Sequence, residues 1–209
     1  MEFHRSRSPD CFRTISRVTR LGIYGGTFDP VHNAHLLVAG DVRAALALDV
    51  VYLVPAGDPW QKRGQVVAPP ETRARLAAAA VADIDGVEVS RVEIEREGAS
   101  VTADTLEALG GVGRDLFLIL GADAARNMPT WRRLEETRHL ATVVVVEREG
   151  EHADPPGPGW RWERVRIPRL DISSSMVRER LGAGQPVDGL VPPAALADIR
   201  ELGLYTAPR

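Results

Sequence analysis

Short apolar runs alternate with longer helix-like segments along most of this sequence, and this alternation restricts the fold more than any other feature. Four of the runs are almost continuously apolar, as expected for strands that are covered on both faces. Alternating strands and helices predict a doubly wound α/β domain, with a mainly parallel sheet and helices on both faces. In such a sheet the ligand crevice lies at the carboxyl ends of the strands.

The predicted strands span residues 21–24, 50–54, 87–94, 115–120, 142–147 and 162–167. The predicted helices span residues 35–48, 70–82, 102–109, 123–134, 173–181 and 193–202. We predict a single domain over residues 20–209, preceded by a disordered extension over residues 1–19. That extension carries several arginines but no apolar signal core.

The composition is that of an ordinary globular protein, with 44% hydrophobic and 26% charged residues among 209. A net charge of -3 gives no reason to expect polymeric nucleic acid as a partner. Cys11 is the only cysteine, which excludes an internal disulfide and favours a reducing, cytoplasmic location. No apolar run approaches the roughly 18 residues that a membrane span requires. The sequence leaves a homo-oligomer open.

A glycine turn joins the first predicted strand to the first predicted helix. Gly25 and Gly26 let the backbone approach a ligand, and the helix that follows directs its first N–H groups at an anion. His32 and His35 are three residues apart and face the same side. The segment lacks the P-loop ending and the G-x-G-x-x-G of dinucleotide binders. It predicts a nucleotide-phosphate site; a transition-metal site would need a third ligand, which the sequence does not place.

Two further features predict contacts with an anion. Ser173, Ser174 and Ser175 open a predicted helix, and Arg178 follows about one turn later, so that hydroxyls, N–H groups and a guanidinium face one point. The alternative for this segment is an ordinary helix cap with a solvated arginine. Lys62, the only lysine, lies in a long loop over residues 57–69, a kind of segment that often binds ligands.

Taken in order, these motifs resemble those of the nucleotidylyltransferase superfamily, and specifically the nicotinate-nucleotide adenylyltransferases. The segment over residues 25–35 resembles their T/H-x-G-H signature. The other matching segments are residues 54–55, 59–62, 100–106, 121–123 with Trp131, 172–175 with Arg178, and 191–192 with 204–205. The resemblance implies a Rossmann-like fold and transfer of AMP from MgATP to nicotinate mononucleotide. The products are nicotinate adenine dinucleotide and pyrophosphate, within NAD biosynthesis.

The resemblance also implies roles for individual residues. The catalytic residues would be His32, His35, Lys62 and Arg178, with the histidines donating hydrogen bonds preferably when protonated. The ATP-binding residues would be Gly25, Gly26, Thr27, Phe28, His35, Gly121, Asp123, Ser173, Ser174, Ser175 and Arg178. The residues that bind nicotinate mononucleotide would be Gly26, Thr27, Thr102 and Trp131. Mg²⁺ would arrive with ATP, and no protein ligand to it is predicted.

Two positions depart from the family pattern. Ala34 replaces a glycine between the histidines, so we expect weakened or shifted nucleotide binding. Val101 replaces a tyrosine. The alternatives to the implied function are a related adenylyltransferase with another acceptor, such as nicotinamide mononucleotide, and a nucleotide-binding regulator without turnover.

Overall fold

The computed structural model describes residues 17–59, 67–152 and 154–206. In this part of the chain six parallel strands form one sheet in the order β3-β2-β1-β4-β5-β6. The strands are β1 Thr19–Gly26, β2 Val50–Pro55, β3 Val87–Val89, β4 Arg114–Gly121, β5 Thr142–Arg148 and β6 Trp162–Ile167. The helices are α1 Asn33–Ala45, α2 Pro70–Val81, α3 Thr102–Leu109, α4 Ala122–Asn127, α5 Leu134–Leu140, α6 Ser174–Gly182 and α7 Pro193–Glu201.

Side chains alternate between two apolar cores, one on each face of the sheet. In β4, Phe117 and Ile119 join the core that contains α1, α2, α6 and α7. Leu116 and Leu118 join the opposite core, which contains α3, α4 and α5. Both cores need apolar residues from the same strand, which explains the continuous apolar runs. The predicted doubly wound, Rossmann-like α/β fold is confirmed.

The strand order reverses direction between β1 and β4. From β1 the chain builds outward to β2 and β3, and it then returns to β4 on the other side of β1. The helices that follow β1 and β4 therefore diverge, and a crevice opens at the carboxyl ends of these two strands. Gly26 ends β1 and Gly121 ends β4, so the two glycines predicted to contact a nucleotide lie at this crevice.

Two predicted elements were wrong in extent. The strand predicted over residues 87–94 ends at Val89, because the Ile94 and Glu95 N–H groups both donate to the Arg91 carbonyl and turn the chain. The helix predicted over residues 123–134 is interrupted, since a 3₁₀ turn over Met128–Thr130 contains a proline and separates α4 from α5. Helix α5 was not predicted.

Two further sequence-based expectations concern the N-terminal extension and membrane-spanning segments. Residues 1–16 of the predicted N-terminal extension lie outside the described residues, while Thr19 already begins β1. Arg17 pairs with Asp49 at 2.7 Å. Among the described helices, none combines the length and apolar character needed to cross a membrane.

Candidate active site

Two cavities meet at the glycine turn after β1, and both are lined by Gly25, Gly26 and Thr27. We call the first, of about 200 Å³, the tryptophan cavity; its other lining residues include Glu93, Ser100, Thr102, Thr105, Trp131 and Arg132. We call the second, of about 340 Å³, the histidine cavity; its other lining residues include Phe28, Asp29, His35, Gly121, Asp123, Arg148, Ser174, Ser175 and Arg178. The site is therefore a pair of pockets on either side of one backbone turn.

Of the three glycines at the ends of β1 and β4, only Gly26 is restricted to glycine by a close contact within the protein. A Cβ at Gly25 or Gly121 would meet no atom within 4 Å, so each backbone faces open space at the crevice. A Cβ at Gly26 would lie 2.8 Å from the ring of Phe28, which folds back onto the turn. Phe28 is buried and has φ of 49°, an uncommon backbone conformation for a bulky residue. The strained Phe28 backbone is thus held by packing directly beside the site.

The two histidines are stacked but play different parts. Their ring centroids lie 3.7 Å apart with an interplanar angle of 26°. His35 Nδ1 accepts a hydrogen bond from the His32 backbone N–H at 3.1 Å, so the neutral His35 ring carries its proton on Nε2. His35 lines the histidine cavity, whereas His32 is only 4% exposed and lines neither cavity.

Burial, followed by the positive charge of Arg148, lowers the pKa of His32 from 6.5 to about 4. His32 is therefore neutral near pH 7, which differs from the expectation that both histidines are protonated. His32 orients His35 through its backbone N–H and its ring face.

The depressed pKa of His32 predicts a loss of stability in acid. The unfolded chain binds a proton at His32 near pH 6.5 but the folded chain only near pH 4. The stabilising contribution is therefore complete above pH 6.5 and falls by about 3 kcal/mol as the pH drops towards 4. Urea unfolding at several pH values should show a steeper decline for the wild type than for His32→Asn. Parallel curves for the two proteins would contradict this assignment.

The serines before α6 divide between structural and site roles. Ser173 Oγ accepts a hydrogen bond from the Met176 N–H at 3.2 Å and acts as an ordinary N-cap. Ser174 Oγ donates to the Pro30 carbonyl at 2.9 Å, which fixes the start of α6 against the loop after β1. Ser174 and Ser175 line the histidine cavity, whereas Ser173 does not.

Arg178 lines the same cavity one turn further along α6. Its Nη1 donates to the Asp29 carbonyl at 2.6 Å and lies 3.9 Å from the Asp29 carboxylate. The predicted grouping of His35, Ser174, Ser175 and Arg178 around one space is thus observed. Asp123 also lines this cavity and pairs with Arg126.

Asp29 anchors two other segments of the chain beside the site. Its carboxylate accepts hydrogen bonds from the Val67 N–H at 2.7 Å, the Ala68 N–H at 3.2 Å and the Tyr205 hydroxyl at 2.7 Å. Burial and this bond to Asp29 raise the pKa of Tyr205. Asp29 is 2% exposed and is therefore a structural acceptor in this arrangement.

Arg73 is a fully buried residue that the sequence analysis did not single out. Its guanidinium donates to the carbonyls of Thr27 and Ala56, each at 2.6 Å, and of Ala68 at 3.1 Å. One side chain therefore joins the loops after β1 and β2 to the start of α2. Burial lowers the pKa of Arg73, and the charge of Asp29 opposes this effect.

The tryptophan cavity brings together the remaining predicted residues. Trp131 follows the 3₁₀ turn, and its backbone N–H donates to the Met128 carbonyl at 2.9 Å. Thr102 is the first residue of α3, whose N-cap, Val101, makes no side-chain capping bond. The Ser100 hydroxyl beside it is buried and has no hydrogen-bond partner within residues 17–59, 67–152 and 154–206. The start of α3 thus presents uncapped N–H groups at the wall of the cavity.

Three lining residues were missed by sequence reasoning: Glu93, Arg132 and Arg148. Arg148 ends β5 two residues beyond Val146, the register partner of Gly121 on β4, and it lies 3.9 Å from Glu151. Its charge opposes the burial that raises the pKa of Tyr24 to about 12. Position at the carboxyl end of a predicted parallel strand was the available signal for Arg148.

Three positions that the sequence singled out remain: Lys62, Ala34 and Val101. Lys62 lies within residues 60–66, which are not among the described residues. Ala34 is buried and lines neither cavity. Val101 lines the tryptophan cavity.

A parallel sheet in this strand order, with two cavities at its switch point, defines a Rossmann-like nucleotide-binding protein. The cytidylyltransferase-like family matches residues 23–180. A probable nicotinate-nucleotide adenylyltransferase of Roseiflexus sp. (strain RS-1) is 45% identical over 88% of this chain and 97% of its own length. A probable nicotinate-nucleotide adenylyltransferase of Frankia alni is 44% identical over 87% of this chain and 97% of its own length.

A solved structure of Plasmodium falciparum nicotinic acid mononucleotide adenylyltransferase complexed with NaAD has the same fold. The TM-score is 0.74 at 18% identity, over 90% of this chain and 97% of that one. From the sequence relatives, the chain belongs to the nicotinate-nucleotide adenylyltransferases, within the cytidylyltransferase-like family. It is thus a nucleotidyltransferase, as the motif series predicted.

Proposed function

We propose that this protein transfers AMP from MgATP to nicotinate mononucleotide, forming nicotinate adenine dinucleotide and pyrophosphate for NAD biosynthesis. The observation that carries the proposal is the meeting of two cavities at Gly25, Gly26 and Thr27. One cavity offers a histidine, two arginines and a helix start, which suit a triphosphate. The other offers a tryptophan face and a second helix start, which suit a pyridine ring bearing an acid. The names of the relatives support the same reaction.

ATP binds in the histidine cavity. Support comes from His35 Nε2–H, Arg178 and Arg148, which supply donors and positive charge, and from the first N–H groups of α6. Gly25 and Gly121 leave room for the nucleotide against the backbone. Mg²⁺ enters as part of the MgATP substrate and keeps mainly phosphate and water ligands. In the described residues, no three His, Cys, Asp or Glu side chains are grouped to hold a metal ion.

Nicotinate mononucleotide binds in the tryptophan cavity. The pyridine ring stacks on Trp131. The carboxylate on the ring accepts hydrogen bonds from the uncapped backbone N–H groups at Thr102, where the helix dipole also favours negative charge. Arg132 lines the same cavity and adds positive charge. Gly26 and Thr27 lie between the two cavities and border both substrates.

The reaction is an in-line displacement at the α-phosphorus of ATP. The attacking 5′-phosphate of the mononucleotide is already anionic near pH 7, so no general base is needed. The protein contributes by holding two polyanions together and by neutralising the charge that develops on the transferred group. His35 and Arg178 bind the phosphates. The part of Lys62 in catalysis is implied by the family resemblance alone, since Lys62 lies outside the described residues. His32 contributes to catalysis indirectly, because its backbone N–H and its ring orient His35.

The test is pyrophosphate release from MgATP with nicotinate mononucleotide or nicotinamide mononucleotide at equal concentration. We expect strong preference for the acid. Equal use of both acceptors would keep the transfer reaction and overturn the role of Thr102. Release with neither acceptor, despite measurable ATP binding, would favour a nucleotide-binding regulator or another acceptor.

A further inference from the structure

Glu93 is a buried carboxylate in the wall of the tryptophan cavity. It is 8% exposed, and it lies within the turn between Arg91 and Glu95 that follows β3. Its Oε1 accepts a hydrogen bond from the Thr105 hydroxyl at 2.6 Å. Its Oε2 accepts no hydrogen bond from any residue of the described ranges 17–59, 67–152 and 154–206. The nearby cation Arg73 donates its hydrogen bonds to backbone carbonyls and not to Glu93, so Oε2 in the cavity wall can pair with a ligand.

The backbone around Glu93 is fixed by a close contact with the loop after β2. A Cβ at Gly57 would lie 2.2 Å from the Glu93 carbonyl oxygen, so only glycine allows the two loops to approach this closely. The Ser100 N–H donates to the Asp58 carbonyl at 3.1 Å and joins the same loops again. Thr105 belongs to α3, which is packed in the core. Glu93 is thus held from both sides.

The charges of the tryptophan cavity have opposite signs on different walls. Glu93 contributes negative charge, and the face of Trp131 also attracts cations. The start of α3 and Arg132 attract anions. A ligand that carries a cationic ring and an anionic substituent matches both walls. The nicotinate group of the acceptor is such a zwitterion, since its ring nitrogen is quaternary.

We propose that Glu93 is the counter-charge for the pyridinium ring of the acceptor, so that the cavity selects a cationic ring over a neutral ring of the same shape. This inference rests on the proposed function and assigns the ring charge as a determinant of specificity. The start of α3 then distinguishes acid from amide, while Glu93 distinguishes the pyridinium from uncharged rings. The two determinants are independent.

The test compares nicotinate mononucleotide with its carbon-linked analogue, in which a 3-carboxyphenyl ring replaces the pyridinium. The analogue keeps the ribose, the phosphate and the acid but lacks the ring charge. We expect the wild type to favour nicotinate mononucleotide in kcat/KM by about tenfold or more. Glu93→Gln, which retains an acceptor for Thr105, should lose about tenfold with nicotinate mononucleotide and change about twofold or less with the analogue. The KM for ATP should not change.

The controls separate charge from structure. Glu97→Gln makes the same charge change at an exposed residue that lies in the same segment but not in the cavity wall, and it should leave both acceptors unaffected. Glu93→Asp should retain the preference for the charged ring.

A wild type that uses both acceptors equally would overturn the inference, whether or not Glu93→Gln folds. Equal losses with both acceptors in Glu93→Gln would assign Glu93 to the ribose or to folding instead. If the wild type releases no pyrophosphate with nicotinate mononucleotide, the proposed function itself is contradicted.

Discussion

Replacing His35 with alanine is expected to lower kcat for pyrophosphate release by about 100- to 1,000-fold. His35 Nε2–H is the donor that lines the histidine cavity, and its direction is fixed because Nδ1 accepts the His32 N–H at 3.1 Å. Such a preorganised donor acts mainly on the charge that develops during transfer, so ATP affinity should change far less than kcat. Single-turnover transfer and equilibrium ATP binding measure the two quantities separately.

The conservative control for this prediction is His35→Gln. The glutamine amide N–H reaches roughly the position of the imidazole Nε2–H, so part of the lost rate should return. A variant His35→Ala that loses affinity for ATP in proportion to kcat would contradict a catalytic role. It would favour the interpretation of the protein as a nucleotide-binding regulator.

Replacing Arg73 with methionine is expected to lower the free energy of unfolding by about 3–5 kcal/mol. The substitution leaves the carbonyls of Thr27, Ala56 and Ala68 without their donor, and it removes one nearby cation from the buried carboxylates of Asp29 and Glu93. Urea unfolding followed by circular dichroism measures the change.

Arg75→Met is the matched control on the same helix. Arg75 lies two residues away and makes exposed ion pairs with Asp198 and Glu201, so its loss should matter much less. If the two variants lose similar stability, the buried hydrogen bonds of Arg73 do not have the importance assigned to them. If Arg73→Met is destabilised as expected, its KM for the acceptor should also rise, because Thr27 and Ala56 line the tryptophan cavity.

The sequence predicted the structure well where the determinants of secondary structure are local. Hydrophobic runs predicted all six strands, and the strand over Trp162–Ile167 and the helix over Thr102–Leu109 were predicted to the residue. Gly25 and Gly26 line both cavities, but they end β1 and do not form the turn that was predicted after residue 24. The main error over residues 87–94 has a clear origin: valine, glutamate and isoleucine alternate there with the period of a strand, but Arg91 closes a turn.

Residues whose importance depends on distant neighbours could not be predicted. Arg148 has no surrounding motif, and it reaches the site only because β5 pairs with β4. Glu93 lies in the segment that was predicted as a strand, so its side chain gave no sign of facing a cavity. The neutral state of His32 likewise follows from burial, which single-sequence patterns do not reveal. The role of Lys62 stays a prediction.

The bond between Asp29 and Tyr205 joins residues 176 positions apart in the chain. During synthesis, which runs from the N-terminus, the loop after β1 is made early, yet the Asp29 carboxylate in that loop gains Tyr205 only after most of the domain has been made. An incomplete polypeptide would therefore hold the first loop without one of its anchors. We expect products that terminate before Tyr205 to be more easily cleaved by proteases than the full chain, so the contact distinguishes finished from unfinished molecules.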